Sequence, residues 1–524
     1  MNDTPPTDGL HTLGRWTRDR ARATPDRVAV DDRGVTLRYR DLDDRASDLA
    51  AAFLAAGYGI GDRVATITGN SQDQVVLFFA CAQAGLVLVP LSWRLAPREL
   101  AQQLEQADPA LLLVEDEFQT LAQNARGRLP DALAETLRST LLGSHGVERV
   151  VPARRADLSE RGAQRPVRDD DPLLIVFTSG TLGRAKGVVL THSNCFWTNL
   201  SLSRMTEISS RDVVLAVMPQ YHVGGWNIQP LLAWWMGATV VLERTFDPGR
   251  VLQLIQERRI TTMMGVPANY LFLAQHPNFA ETDLSSLNHA VVGGAPMPAP
   301  LLRTWHARGI ALTQGYGLTE ASPNVLCLPN EDARSMVGYA GKPYPHVEVA
   351  VADPVTGDHL PGASTGELLV RGPGVFSGYF RAPEETARTL RNGWLHTGDL
   401  VRRDEHGYFA VIDRLTDIYI SGGESVAPAE VENVLIEHSA VADVAVIGVP
   451  DDRWGEVGVA FVVAEEGAAE SAENLLLHAR GQLAGFKVPA HVRFVPEIPR
   501  SLGSKVLRRE LLASWHDGLV GGSR

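Results

Sequence analysis

Cysteine is scarce in this chain: its 524 residues hold three, Cys81, Cys195 and Cys327, far apart and without metal-ligand spacing. That pattern excludes a disulfide framework and a structural zinc cluster, and it suits a reducing cytoplasm. Long apolar runs are missing too. Even Val76 to Val89 is interrupted by Gln83 and Gly85, so no segment is expected to span a membrane. A basic surplus is absent: 49 Lys and Arg stand against 62 Asp and Glu, and the net charge of −13 argues against broad contact with nucleic acid or anionic membrane. The polar, proline-rich opening, residues 1–9, lacks the basic and then apolar regions of a secretory leader and reads as a disordered tail.

What is present is an ordinary soluble composition, 44% hydrophobic and 21% charged, in a chain too long for one core. Leu42 to Leu54 places Leu42, Ala46, Leu49 and Phe53 on one helical face. Val64 to Ile67 reads as a strand, Gln74 to Ala84 as a buried helix and Leu86 to Pro90 as another strand, the alternation of a doubly wound α/β lobe. A second such set runs from Val213 to Gly293, with Thr239 to Leu242 and Thr262 to Gly265 among its apolar runs. From Val347 to Val411 short strands broken by Gly and Pro predict a small β-rich subdomain, and the pattern after Asp413, with strands at Val444 to Val449 and Val457 to Val463, predicts a compact α+β unit. The expected fold is therefore α/β: a large N-terminal domain over 10–413, built of two doubly wound lobes and the β-rich part, a hinge at 414–417, and a small mobile α+β domain over 418–524.

The apolar run Leu173 to Phe177 leads into Thr178-Ser179-Gly180-Thr181-Leu182-Gly183-Arg184-Ala185-Lys186-Gly187. A loop leaving a buried parallel strand faces a ligand crevice, and here glycines, hydroxyls and a lysine would cradle a polyphosphate. The loop fails the ordinary P-loop count, since Ala185 stands where the second glycine belongs and Gly187 follows Lys186 in place of Ser or Thr. By itself it could be a solvated turn with a surface lysine.

Further motifs follow in order: Gly293-Gly294-Ala295-Pro296, Gln314-Gly315-Tyr316-Gly317-Leu318-Thr319-Glu320, His396-Thr397-Gly398-Asp399, Asp413-Arg414-Leu415-Thr416-Asp417, Ser421-Gly422-Gly423-Glu424 and Pro499 to Lys505. Together with the loop they resemble the adenylate-forming superfamily of acyl-CoA and aryl-CoA synthetases, peptide-synthetase adenylation domains and beetle luciferases, from about Leu13 to Leu512.

The resemblance implies an enzyme that activates a carboxylic acid with ATP and Mg²⁺ as an acyl-adenylate, releases pyrophosphate, and passes the acyl group to coenzyme A. It assigns Thr178, Ser179, Gly180, Thr181, Gly183 and Lys186 to the β- and γ-phosphates, Thr319 to a phosphate hydroxyl contact and Glu320 to magnesium. Gly294, Ala295, Pro296, Gly315, Tyr316 and Gly317 would frame the adenine, Asp399 would accept the ribose hydroxyls, and Arg414 would reach ribose or phosphate. Lys505 matches the mobile lysine of the first half reaction; Thr181, His222 and Glu320 complete the expected catalytic set. Gly422 and Gly423 would edge the thiol tunnel, and Thr416 holds the hinge position. For the acid pocket the candidates are His222, Gly224, Gly225, Trp226 and Asn227, then Val266, Tyr270 and Gly315, then Ala321, Ser322 and Asn324. Taken singly, most have bland readings: Tyr316 and His222 as core, Glu320 as a helix-start carboxylate, Gly422-Gly423 as a turn, Lys505 as part of a basic surface.

Several positions depart from the family pattern. Leu182 replaces a Ser or Thr and Ala185 a proline in the loop; Thr416 stands for Lys or Asp, Ser425 for Asn, and Ser504 precedes Lys505 where glycine is common. Most of these lie in the hinge and small domain, which leaves open another acceptor, a carrier protein or an amine, or an unusual acid such as nitrite. A catalytically silent paralogue is the other alternative, opposed by intact Lys186, Glu320, Asp399 and Lys505. Monomer and homodimer both remain open.

Overall fold

The computed structural model describes residues 9–142, 151–152, 165–178, 185–294, 297, 299–415, 419–426, 428–465, 471–499, 506 and 508–520. The chain divides into two compact units, one of residues 1–93, 103–177 and 187–413, the other of residues 94–102, 178–186 and 414–524. The architecture is the expected α/β one. Among the described residues no helix is long and apolar enough to cross a membrane.

The first unit is built on two large sheets. One holds, in spatial order, the strands Gly378–Tyr379, Lys186–Thr191, Pro172–Thr178, Val87–Leu91, Arg63–Ile67, Leu111–Glu115 and Arg138–Leu142. Its central strands run parallel and are buried along most of their length, which is why Val87–Leu91 and residues 111–114 are unbroken apolar runs. The other has nine strands, with the parallel set Val28–Asp32, Thr239–Leu242, Val213–Ala216, Thr262–Gly265, His289–Val292 and Leu312–Gly317 at its centre. From Val213–Ala216 the chain goes next to a strand on one side and afterwards to a strand on the other. The carboxyl ends of such strands, where the order reverses, open a crevice. A separate antiparallel sheet, Glu348–Ala352, Ser364–Arg371, Leu390–Arg391, Trp394–Arg403 and Phe409–Arg414, forms the β-rich part.

In the second unit the strands Val441–Asp451 and Gly455–Ala464 pair antiparallel over most of their length. Val444, Val446, Ala460 and Val462 pack into one cluster while Ala445, Ile447, Val459 and Phe461 pack into another. Alternate residues thus bury on opposite faces, and helices cover both: Pro428–Leu435 and Ala472–Arg480 on one side, Arg508–Val520 on the other.

His192 pins the start of the first unit. Wholly buried at the head of the helix His192–Leu202, its Nδ1 accepts the Leu13 N–H at 3.1 Å. Burial pushes the ring from 6.5 down to about 4, against the pull of Asp171 and Asp169. A folded-state value below the unfolded one means stability that is complete above pH 6.5 and is lost as pH falls through about 4. The difference is worth roughly 3 kcal/mol. His192→Gln should remove that dependence, so between pH 6.5 and 4 the wild type should lose roughly 3 kcal/mol more than the variant in urea titrations. Parallel pH curves would refute the assignment.

Candidate active site

The site residues of the first unit gather at one edge because the strands of the nine-stranded sheet are in register. Gly265, Val292 and Gln314 form one row, so Val266 and Gly293 leave the sheet beside Gly315, which stays in its strand and pairs onward with Cys327. The loop after Val213–Ala216, parallel to the same strands, carries His222. Leu312–Gly317 continues into Thr319 and Glu320.

Burial separates the expected residues into a rim and a backing. His222, Val266, Gly315, Tyr316, Thr319 and Glu320 are half-buried, and Gly294 and Gly317 are exposed. Gly224, Gly225, Trp226, Asn227, Tyr270, Ala321, Ser322 and Asn324 are buried. Trp226 stacks on Phe78 at 4.6 Å and donates its indole N–H to the Gln220 carbonyl at 2.7 Å. Trp234 donates to the Ala29 carbonyl and Trp235 stacks on Trp16. Trp226, a candidate for the acid pocket, and the nearby Trp234 and Trp235 are thus engaged in packing. Tyr270 is wholly buried, edge-on to Trp305, with its hydroxyl on the Val291 carbonyl. Asn227 accepts from Asn199 at 3.1 Å through its side chain and from Asn324 at 3.2 Å through its carbonyl, while Asn324 also donates to Thr198. Ser322 turns its hydroxyl to the Gly374 carbonyl. Gly225 is small for a local reason: a Cβ there would lie 2.2 Å from the Pro219 carbonyl oxygen.

Tyr316 and Asp399, assigned from sequence to adenine and ribose, are direct partners: the tyrosine hydroxyl donates to Asp399 Oδ2 at 2.5 Å, and Asp399 is 4% exposed. Glu367 lies at the shift in strand register that presents Asp399. One of its oxygens lies 2.9 Å from His396 Nδ1 and the other accepts the Gly398 N–H at 3.0 Å. Thr397 donates to the Leu368 carbonyl and accepts the Asp399 N–H. Glu320 Oε1 accepts from the Tyr379 hydroxyl at 2.8 Å, and burial with the nearby Glu320 charge pushes that hydroxyl far above the ordinary tyrosine range, so it stays a donor.

Asn70, Glu367 and Tyr379 escape sequence reasoning. Asn70 follows the strand Arg63–Ile67 and bridges the two sheets, donating to the Met218 and Glu243 carbonyls and accepting the Gln220 N–H. The one signal in its favour is its place in a loop after a parallel strand.

In the second unit, Thr178 donates to the Lys186 carbonyl at 3.5 Å across the base of the phosphate loop. Gly422 and Gly423, with φ of +59° and +81°, make the two-residue turn of a hairpin that pairs Ser421 with Glu424. Both need the left-handed region, and a Cβ on Gly422 would meet the Trp454 ring at 2.8 Å. Ser179, Gly180, Thr181, Leu182, Gly183, Ala295, Pro296, Thr416, Ser504 and Lys505 lie outside the described residues, as do the side chains of Arg414 and Ser425.

Among the described residues no cluster of three or more His, Cys, Asp or Glu could form a metal cage. Glu320 is a single carboxylate with a fixed hydroxyl on one oxygen. That donor set suits a magnesium ion whose other ligands are phosphate oxygens and water.

Asp399→Asn tests the ribose role. It keeps the shape and loses the charge and one acceptor, so kcat/KM for ATP should fall about 100-fold. A change below about threefold in steady-state kinetics would remove Asp399 from the nucleotide site.

Comparison with known proteins shows the family. Residues 17–380 match the family described as AMP-binding enzyme, and residues 430–505 its C-terminal domain. The chain is 41% identical over 501 residues to a feruloyl-CoA synthase of Amycolatopsis sp, covering 95% of this chain and 98% of that protein. It is 36% identical to an indoleacetate–CoA ligase of Aromatoleum aromaticum, covering 96% and 98%. The structure of an amide bond synthetase from Marinactinospora thermotolerans superimposes with a TM-score of 0.83 at 31% identity, covering 95% and 99%. The chain therefore belongs to the AMP-binding enzyme family and is an adenylate-forming ligase.

Proposed function

We propose that this enzyme activates an aryl carboxylic acid with ATP and transfers it to coenzyme A. In the first step a carboxylate oxygen of the acid attacks the α-phosphorus; the bond to the bridging oxygen breaks and pyrophosphate leaves with the electron pair. In the second the CoA thiol releases its proton to solvent, its sulfur attacks the acyl carbon, and the bond from that carbon to the phosphate oxygen breaks, AMP leaving with the electron pair.

The observation that carries the reading is the Tyr316–Asp399 pair: an aromatic ring held against a buried carboxylate offers a face to a base and two acceptor oxygens to a ribose. Because both reactants of the first step are anions, positive charge must converge on the phosphates. Lys186 and the other residues of the 178–187 loop, Arg414 and Lys505 take that role. Magnesium on Glu320, when bound, supplies neutralisation of the triphosphate. His222 edges the acid's carboxylate. Val266, just past the end of Thr262–Gly265, and Gly315, two strands over, are half-buried, and the lack of a side chain at Gly315 leaves room for a flat acid. The relatives named for feruloyl-CoA and indoleacetate support an aryl acid. The match of the C-terminal domain and the tight Gly422-Gly423 turn support CoA as acceptor, since a turn without side chains admits a pantetheine arm closely.

Exchange of labelled pyrophosphate into ATP with a panel of aryl, fatty and amino acids and nitrite tests the first step, and loss of free thiol on adding CoA tests the second. Aryl acids should support both. Adenylate formation without thiol loss, but with amide formed from an added amine, would move the chain to the amide synthetase reading, which the structural likeness to that enzyme favours.

A further inference from the structure

The segment 376–380 touches two parts of the nucleotide machinery at once. Its Phe376 N–H donates to the Glu320 carbonyl at 2.8 Å. Two and three residues on, Gly378 and Tyr379 pair antiparallel with Val189 and Val188, in the strand that continues from the phosphate loop. Ser377 N–H reaches the Val189 carbonyl at 3.3 Å and Phe380 N–H the Gly187 carbonyl at 2.7 Å. A short strand is thus stitched at one end to the Glu320 loop and at the other to the strand leaving Lys186.

Tyr379 completes the link through its side chain. It is 8% exposed, its ring packs edge-on against Phe376 at 4.9 Å, and its N–H donates to Thr386 Oγ1 at 2.9 Å. These contacts fix where the hydroxyl goes, and it goes to Glu320 Oε1. A hydrogen bond from a rigid phenol to a carboxylate is charge-assisted and selects one rotamer of an otherwise flexible glutamate. Glu320 itself sits in a half-buried single turn and needs such a constraint.

We propose that Tyr379 is a positioning residue for the magnesium nucleotide: it holds the Glu320 carboxylate in the orientation that receives the ion, while the strand it belongs to ties that carboxylate to the strand following the phosphate loop. The inference rests on the adenylation reading and adds to it a residue that acts only through Glu320.

The test is calorimetric. ATP is titrated into wild type, Tyr379→Phe, Glu320→Gln and the double variant, each with Mg²⁺ and with EDTA. Tyr379→Phe keeps the ring and its packing. It should weaken MgATP binding about tenfold and leave metal-free ATP binding within about twofold. In the Glu320→Gln background the same deletion should change MgATP binding by less than about twofold, because the two residues act as one unit. Equal loss with and without Mg²⁺, additive effects in the double variant, or wild-type MgATP affinity in Tyr379→Phe would each overturn the proposal. Failure of the wild type to exchange pyrophosphate with any acid would overturn the adenylation reading itself, a separate result on a separate assay.

Discussion

Replacing Lys505 by alanine should slow acid-dependent pyrophosphate exchange by about 10²- to 10³-fold, with thermal unfolding unchanged. The size follows from the reaction. A carboxylate and a triphosphate repel each other, and the charge that develops as the new bond forms has to meet a cation placed for it. A lysine suits this because it is a compact charge on a long stem, able to enter and leave. Lys505 lies six residues after Pro499 in a late basic segment, the position that the family resemblance gives to this role. Thiol attack on a finished adenylate involves no such meeting of anions. Transfer from chemically supplied acyl-adenylate to CoA should therefore keep most of its rate. The contrast between the two half reactions, measured on the same variant, is the decisive result. An unchanged exchange rate would remove Lys505 from the first step, and equal losses in both steps would assign it a general role.

Trp226→Ala should destabilise the first unit by about 3–5 kcal/mol, the range for truncating a buried large aromatic. The indole has no solvent exposure, stacks on Phe78 and donates to the Gln220 carbonyl. Truncation leaves a cavity against Phe78 and an unpaired carbonyl in the turn that carries His222. Trp226→Phe keeps a ring for Phe78 and loses only the N–H, so its effect should be about 1–2 kcal/mol. Chemical denaturation of both variants, alongside their acid profiles, separates packing from pocket lining. If Trp226 lined the pocket, alanine would admit bulkier acids with little loss of stability. A loss below about 1 kcal/mol would sink the packing assignment.

The sequence already contained most elements, because each is short and has its own period. Thr239–Leu242 and Thr262–Gly265 occupy the residues read from their apolar runs, and the helix read over 42–54 spans Tyr39–Ala55. The longest misjudged strand is Val441–Asp451, read as Val444 to Val449. Its extra residues are held by pairing with Gly455–Ala464, a partner that periodicity does not see. The strand Val28–Asp32 went unread for the same kind of reason: it joins the nine-stranded sheet beside Thr239–Leu242, about two hundred residues away along the chain.

At the site, chain order alone proposes the nucleotide-binding groups. The phosphate loop, Tyr316, Thr319, Glu320, Asp399 and Lys505 are candidates by residue type and sequence of motifs, since each would supply a specific charge, hydroxyl or ring. Which of the remaining candidates face the crevice was decided by the tertiary structure. A tryptophan or asparagine next to a motif has the same spacing whether it packs inward or lines a pocket, and only the register of distant strands sends Val266 and Gly315 to the rim while Trp226 and Tyr270 turn inside. The same holds for Glu367, Asn70 and Tyr379. Their hydrogen bonds reach residues that are remote in sequence, so no local pattern marks them, and they orient the very carboxylates and turns that the motifs name.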